Sequence, residues 1–110
     1  MIYVFDIDGT ICNNTYGKYE TAEPIKERIE YINKLYDDGH RIVFFTARGM
    51  RTFNGDIGEV YKKYHDFTEL QLKKWKVKYH QLRLGKPEGD LYIDDKGVKD
   101  ENFFATNIRS

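Results

Sequence analysis

Ile2-Tyr3-Val4-Phe5-Asp6-Ile7-Asp8-Gly9-Thr10 is an apolar run that delivers two aspartates and then a glycine turn. A continuous apolar run of this kind fits a strand covered on both faces in a parallel sheet. Side chains two apart on an extended backbone point to the same side, so Asp6 and Asp8 converge on one bound ion or substrate before the chain turns at Gly9. Two close carboxylates repel unless a cation lies between them or one holds a proton. The competing reading is an Asp-rich turn with no chemistry of its own.

Working outward, Ile42 to Phe45 and Leu91 to Ile93 are further continuous apolar runs, and Gln81 to Leu84 is a weaker candidate strand. Between the first two strands, Pro24 stands at a first-turn position ahead of an apolar face of Ile25, Ile29, Ile32 and Tyr36, and Gly39 ends that helix. Thr68 and Gln71 have capping-box spacing, with Phe67 and Leu72 as the hydrophobic staple. They predict a helix from about Glu69 to Trp75, and Ile57, Val60, Tyr61 and Tyr64 predict another short helix before it. Strands alternating with helices imply right-handed crossovers and a three-layer, Rossmann-like α/β sandwich around a mainly parallel sheet.

The 110 residues suit one domain, 1–110, with one core and one site. Lys plus Arg and Asp plus Glu both total 18, so no global field points to nucleic acid or an anionic membrane as the main partner. Cys12 is the single cysteine, which excludes an internal disulfide and any multi-cysteine zinc site and agrees with a reducing compartment. No apolar stretch reaches membrane-span or signal-peptide length, and the expected location is cytoplasmic.

In a parallel α/β sheet, ligands bind outside the carboxyl ends of the strands. The residues that follow the four expected strands are Asp6 and Asp8, then Thr46-Ala47-Arg48, then Gly85-Lys86-Pro87, then Asp94-Asp95. Together they supply hard oxygen ligands with no histidine or thiol, a set suited to Mg²⁺ rather than zinc. A phosphate drawn to that ion would have its remaining charge met by Lys86 and by a hydrogen bond from the Thr46 hydroxyl. Aspartate is an effective nucleophile at phosphorus, and a second carboxylate, Asp8, suits proton transfer to the leaving alkoxide and from water.

The order D-x-D-G-T, hydrophobic strand plus Thr, Lys-Pro, hydrophobic strand plus Asp-Asp resembles the four motifs of the haloacid dehalogenase superfamily of phosphohydrolases, over Ile2 to Lys96. The resemblance implies Asp6 as nucleophile, Asp8 as general acid/base, Thr46 and Lys86 as phosphate ligands beside Ala47 and Arg48, and Asp6, Asp8, Asp94 and Asp95 as Mg²⁺ ligands. Only 37 residues separate Asp8 from Thr46 and 39 separate Thr46 from Lys86, which resembles the class without a cap domain. An open site of that kind suits a bulky or glycan-linked phosphomonoester, or a neighbouring subunit of a homo-oligomer acting as lid. The chain also resembles short phosphatases of polysaccharide and nucleotide-sugar pathways.

Residues 11–23 occupy the place of a flap beside the nucleophile. Tyr16 or Tyr19 either stacks on a sugar or base or pins the flap to the body. Arg48 and Arg51 are candidates to meet a second anionic group of the substrate. His40, His65 and His80 show no metal-site spacing, and Trp75 is assigned to the core. Two other functions use similar residues: a receiver-type phosphoacceptor module, in which the acidic pair leads and the phosphorylated Asp stands alone later, and a non-catalytic binding domain on the same scaffold.

Overall fold

A computed structural model describes residues 1–108. Strands β1 (Ile2–Phe5), β2 (Arg41–Thr46) and β3 (Gln81–Leu84) form a parallel sheet in the order β1-β2-β3. Val4 lies beside Val43 and Phe44 beside Leu82. The central strand is the most apolar and branched, with Ile42, Val43 and Phe44 all buried, as its place between two neighbours requires. The result is the α/β, Rossmann-like parallel arrangement expected from the sequence.

Helix α1 (Lys26–Asp37) makes the crossover from β1 to β2 and buries Ile29, Ile32 and Leu35. Its apolar stripe closes with Leu35, while Tyr36 is only partly buried and stacks on His80. Gly39 takes φ +95° just past the helix, a left-handed conformation that favours glycine.

Helix α2 (Ile57–Lys74) differs from the expectation of two helices divided by a capping box. It is continuous for 18 residues, and its N-cap is Asp56, whose carboxylate accepts from the Glu59 N–H at 3.3 Å. Thr68 and Gln71 are interior residues of this helix. Their hydroxyl and amide serve a buried guanidinium instead of a helix end.

The expected strand Leu91 to Ile93 does not form. A parallel neighbour ordinarily needs a crossover of about a dozen residues or more. Only 85–90 separate β3 from this run, whose apolar side chains stay exposed, Ile93 at 90%. A third helix, α3 (Asp100–Asn107), instead brings Phe103 and Phe104 against Phe5, and Phe103 also meets Tyr3. Its two aromatics are adjacent and give no helical repeat, so the sequence carried little signal for it. Arg28 of α1 ties this helix down through Asp100 at 2.7 Å and holds the loop after Asp8 through the Thr10 carbonyl at 2.9 Å.

The face of the sheet carrying Tyr3, Phe5, Ile42 and Phe44 holds the core, into which Ile7, Ile11 and Cys12 also pack. On the opposite face Ile2 and Val4 remain exposed, so β1 is covered on one face and not on both as its apolar run suggests, because among the described residues no helix packs against that side of it. Trp75 packs against the core as expected. The carboxyl ends of all three strands therefore open onto one edge, carrying Asp6, Thr46 and Gly85.

Phe44→Ala is expected to lower unfolding stability by about 3–5 kcal/mol, because it empties a fully buried aromatic site. Ile93→Ala should change it by less than about 0.5 kcal/mol. Urea unfolding followed by circular dichroism measures both.

Candidate active site

Asp6 is the first residue past β1, and its carboxylate accepts the Ile7 N–H at 2.9 Å. The other oxygen faces the Lys86 ammonium at 3.6 Å, while the side chain keeps 35% exposure. Burial raises the Asp6 pKa above its ordinary value. The Lys86 charge and the Ile7 N–H pull it down, and the Asp8 charge pushes it up again. Lys86 follows β3, and its main-chain N–H donates to the Thr46 carbonyl at 3.1 Å, which joins the ends of β2 and β3. Its ammonium lies 4.3 Å from the centre of the Tyr92 ring, a cation–π contact. The Tyr92 hydroxyl is itself anchored, donating to the Pro87 carbonyl at 2.6 Å and accepting from the Gly89 N–H at 3.0 Å. Tyr92 was read as part of a buried strand, yet it props the lysine.

Asp8 sits in a different environment. Arg48 Nε donates to Asp8 Oδ2 at 2.9 Å and Nη2 donates to Oδ1 at 3.0 Å, a two-pronged ion pair. The Arg48 side chain is fully buried, and its Nη1 is satisfied by Gln71 Oε1 at 2.7 Å and Thr68 Oγ1 at 3.3 Å. This arginine was expected to meet a substrate anion. The structure spends it inside the molecule on Asp8, because an unpaired buried guanidinium is costly. Cys12 lies 3.6 Å from Asp8 Oδ1, and burial together with the Asp8 charge pushes its thiol up to about 12. A thiol in that state is neither a nucleophile nor a metal ligand.

Thr46 ends β2 fully buried. Among the described residues its hydroxyl only accepts, from the Arg48 N–H at 3.2 Å, which leaves its own proton available. Ala47 follows in the turn that leads to Gly49. At Gly49 φ is +79° and a Cβ would meet the Tyr64 ring at 2.6 Å, so glycine is required there. Arg51 is largely exposed and pairs with Glu88 at 2.7 Å.

The flap question is resolved for Tyr19. Its hydroxyl accepts the Gly49 N–H at 3.1 Å and its ring lies 4.8 Å from the Arg48 guanidinium carbon. It therefore fastens the flap. Tyr16 is 90% exposed at φ +54° and touches no other ring among the described residues.

Asp6, Asp8, Thr46, Arg48 and Lys86 are linked by these contacts at one edge of the sheet. Asp94 and Asp95 are not joined to them. Asp94 Oδ1 accepts from the N–H groups of Lys96 and Gly97 in its own exposed turn. No three of the four aspartates bring carboxylate oxygens within 4.8 Å of one another among the described residues. The group that does so is His65, Asp66 and Glu69 on α2, an exposed cluster that the histidine spacing did not suggest.

The donors beside Asp6 are all oxygen, which fits Mg²⁺ in kind. The Asp8 carboxylate is taken up by Arg48. Its main-chain carbonyl accepts no hydrogen bond from the described residues and is the donor Asp8 has left.

Comparison with known proteins places the chain. The family described as haloacid dehalogenase-like hydrolases matches residues 3–75, and the chain belongs to that family. A crystal structure of a protein from Vibrio cholerae superposes with a TM-score of 0.86 at 30% identity, covering 93% of this chain and 85% of the other. No curated protein sequence matches. Among the described residues, no helix is long and apolar enough to cross a membrane.

Arg48→Ala is expected to cost about 3 kcal/mol or more in urea unfolding, because it strands Asp8 and leaves Thr68 and Gln71 without their partner. The raised Asp6 pKa means the folded state pays for ionising this group at pH values above that pKa. Asp6→Asn should therefore stabilise the protein at pH 7, and the gain should shrink as pH falls through the raised pKa into the usual carboxylate range. Unfolding of both proteins at pH 7 and pH 4 measures this; an equal difference at the two pH values contradicts it.

Proposed function

We propose that the chain is a Mg²⁺-dependent phosphomonoesterase working through an aspartyl-phosphate on Asp6. The observation that carries this reading is the unequal treatment of the two aspartates. Both oxygens of Asp8 are held by Arg48, whereas the Asp6 side chain is 35% exposed and keeps one oxygen free of hydrogen-bond donors other than a lysine among the described residues. The nucleophile has to be the carboxylate that a phosphate can reach.

In the first step an Asp6 oxygen attacks phosphorus and the bond to the leaving oxygen breaks; Asp8 enters this step carrying a proton, gives it to the alcohol and is left as the carboxylate that Arg48 holds. In the second step Asp8 takes a proton from water, which attacks the acyl-phosphate and frees Asp6 and inorganic phosphate. Lys86, propped by Tyr92, offsets charge on the transferred phosphoryl group, and the unused Thr46 proton is donated to one of its oxygens. Asp6 and the Asp8 carbonyl would hold Mg²⁺; the family resemblance implies Asp94 and Asp95 as further ligands, and in this structure they stand apart from the other two in their own turn. When bound, the ion supplies charge neutralisation at the phosphate.

The short connections between the motifs suit a site without a cap and hence a bulky or glycan-linked phosphomonoester, with a second subunit as lid where one is present; the resemblance to polysaccharide-pathway phosphatases points to a sugar phosphate or nucleotide-sugar precursor. The setting is cytoplasmic. Tyr16, exposed and not engaged with another ring, is the flap residue suited to stack on the leaving group.

Hydrolysis of an aryl phosphate with added Mg²⁺ tests the reading. Turnover should stop on chelation and fall at least about a thousandfold in Asp6→Asn, which removes the nucleophile. Acid quenching of the native enzyme should trap an acyl-phosphate. Unchanged turnover in Asp6→Asn would sink the proposal.

A further inference from the structure

Arg48 is the meeting point of three parts of the chain that are distant in sequence. Its guanidinium grips Asp8, its Nη1 is held by α2 through Gln71 and Thr68, and the Tyr19 ring of the flap lies against it. Gln71 uses both ends of its amide: Oε1 accepts from Arg48 Nη1 at 2.7 Å, and Nε2 donates to the Tyr19 carbonyl at 2.9 Å. Its orientation is therefore fixed, since the flipped amide would put N–H groups against a guanidinium and a carbonyl oxygen against a carbonyl. Tyr19 is held at three points, through its carbonyl, its hydroxyl on the Gly49 N–H and its ring edge-on to Tyr64 at 5.2 Å.

We infer that Gln71 and Tyr19 are positioning residues for proton transfer by Asp8. They set the plane of the Arg48 guanidinium and, through it, the direction of the Asp8 carboxylate. The inference rests on the phosphatase reading only for the chemistry that Asp8 performs. A guanidinium fork is planar, so the carboxylate it engages through two hydrogen bonds takes its orientation from the fork. Among the described residues Asp8 has no other ion-pair partner, and the thiol of Cys12 is a weak donor. Seating of the flap on α2 is thereby coupled to the aim of the acid/base, although neither Gln71 nor Tyr19 hydrogen-bonds to Asp8 among the described residues. Proton transfer is sensitive to this aim, because misplacement by about 1 Å costs on the order of a hundredfold.

The test compares the native protein with Gln71→Leu, similar in volume but without either amide contact, and with Tyr19→Phe, which keeps the ring and loses the hydroxyl bond to Gly49. Two readouts are taken. The first is steady-state hydrolysis of an aryl phosphate with Mg²⁺. The second is the Arg48 Nε–H resonance in protein labelled with ¹⁵N-arginine, assigned by its loss in Arg48→Lys. Gln71→Leu is expected to lower kcat about tenfold to a hundredfold with KM within about twofold, and to broaden or shift the Arg48 resonance. Tyr19→Phe should move both readouts in the same direction by less, and it carries the test if Gln71→Leu does not fold. A kcat equal to that of the native enzyme in the folded variants overturns the inference, as does an Arg48 resonance that does not move. If the native protein hydrolyses no phosphomonoester while the resonance still moves in Gln71→Leu, the phosphatase reading fails and the coupling of Gln71 to the Asp8 clamp stands.

Discussion

A fully buried, permanently charged guanidinium next to a partly exposed carboxylate is the constraint around which the site is arranged. Arg48 carries its charge into a region where water does not reach, and such a group is tolerated only when its donors find acceptors. Those acceptors come from the loop after β1 and from the interior of α2. The flap covers the assembly from outside with an aromatic ring. The need to satisfy one side chain thus joins the strand that bears the aspartates to the helix that backs them.

The same constraint separates two aspartates that stand two residues apart on one strand end. Asp8 faces the buried cation and is held in direction. Asp6 faces the ammonium of Lys86, is partly desolvated, and has its pKa raised because burial outweighs the pull of that lysine. Chemically similar groups therefore acquire different properties from neighbours that lie 40 and 80 residues further along the chain. The lysine in turn depends on Tyr92, so even the short exposed loop beyond β3 contributes to the site.

Several features were legible before any coordinates. The strands at Ile2 and Ile42 announced themselves as apolar runs, the one at Gln81 only as a weaker candidate, and α1 by its spacing, because burial against a sheet imposes a pattern that the order of residues carries. The two failures have a common cause. Thr68 and Gln71 matched a helix start because a hydroxyl and an amide three apart satisfy a capping box, and the same pair serves a distant guanidinium equally well. Leu91 to Ile93 matched a buried strand because apolar residues look alike whether or not a sheet edge is within reach. Arg48 reads as a contact for a substrate anion, since nothing local to it foretells that Thr68, Gln71 and Asp8 close around it.

Residue chemistry and short-range order were enough for the class of fold, the family and the identity of the acidic pair, because strand periodicity and motif spacing are local properties carried by neighbouring residues. The tertiary structure alone decided which aspartate is clamped and which is the more exposed, that Tyr19 fastens the flap while Tyr16 stays exposed, and that Gln71 bridges Arg48 and the flap. Those outcomes depend on contacts between residues tens of positions apart, and the free energy of burying a charge or a ring is set by the neighbours that folding assembles around it.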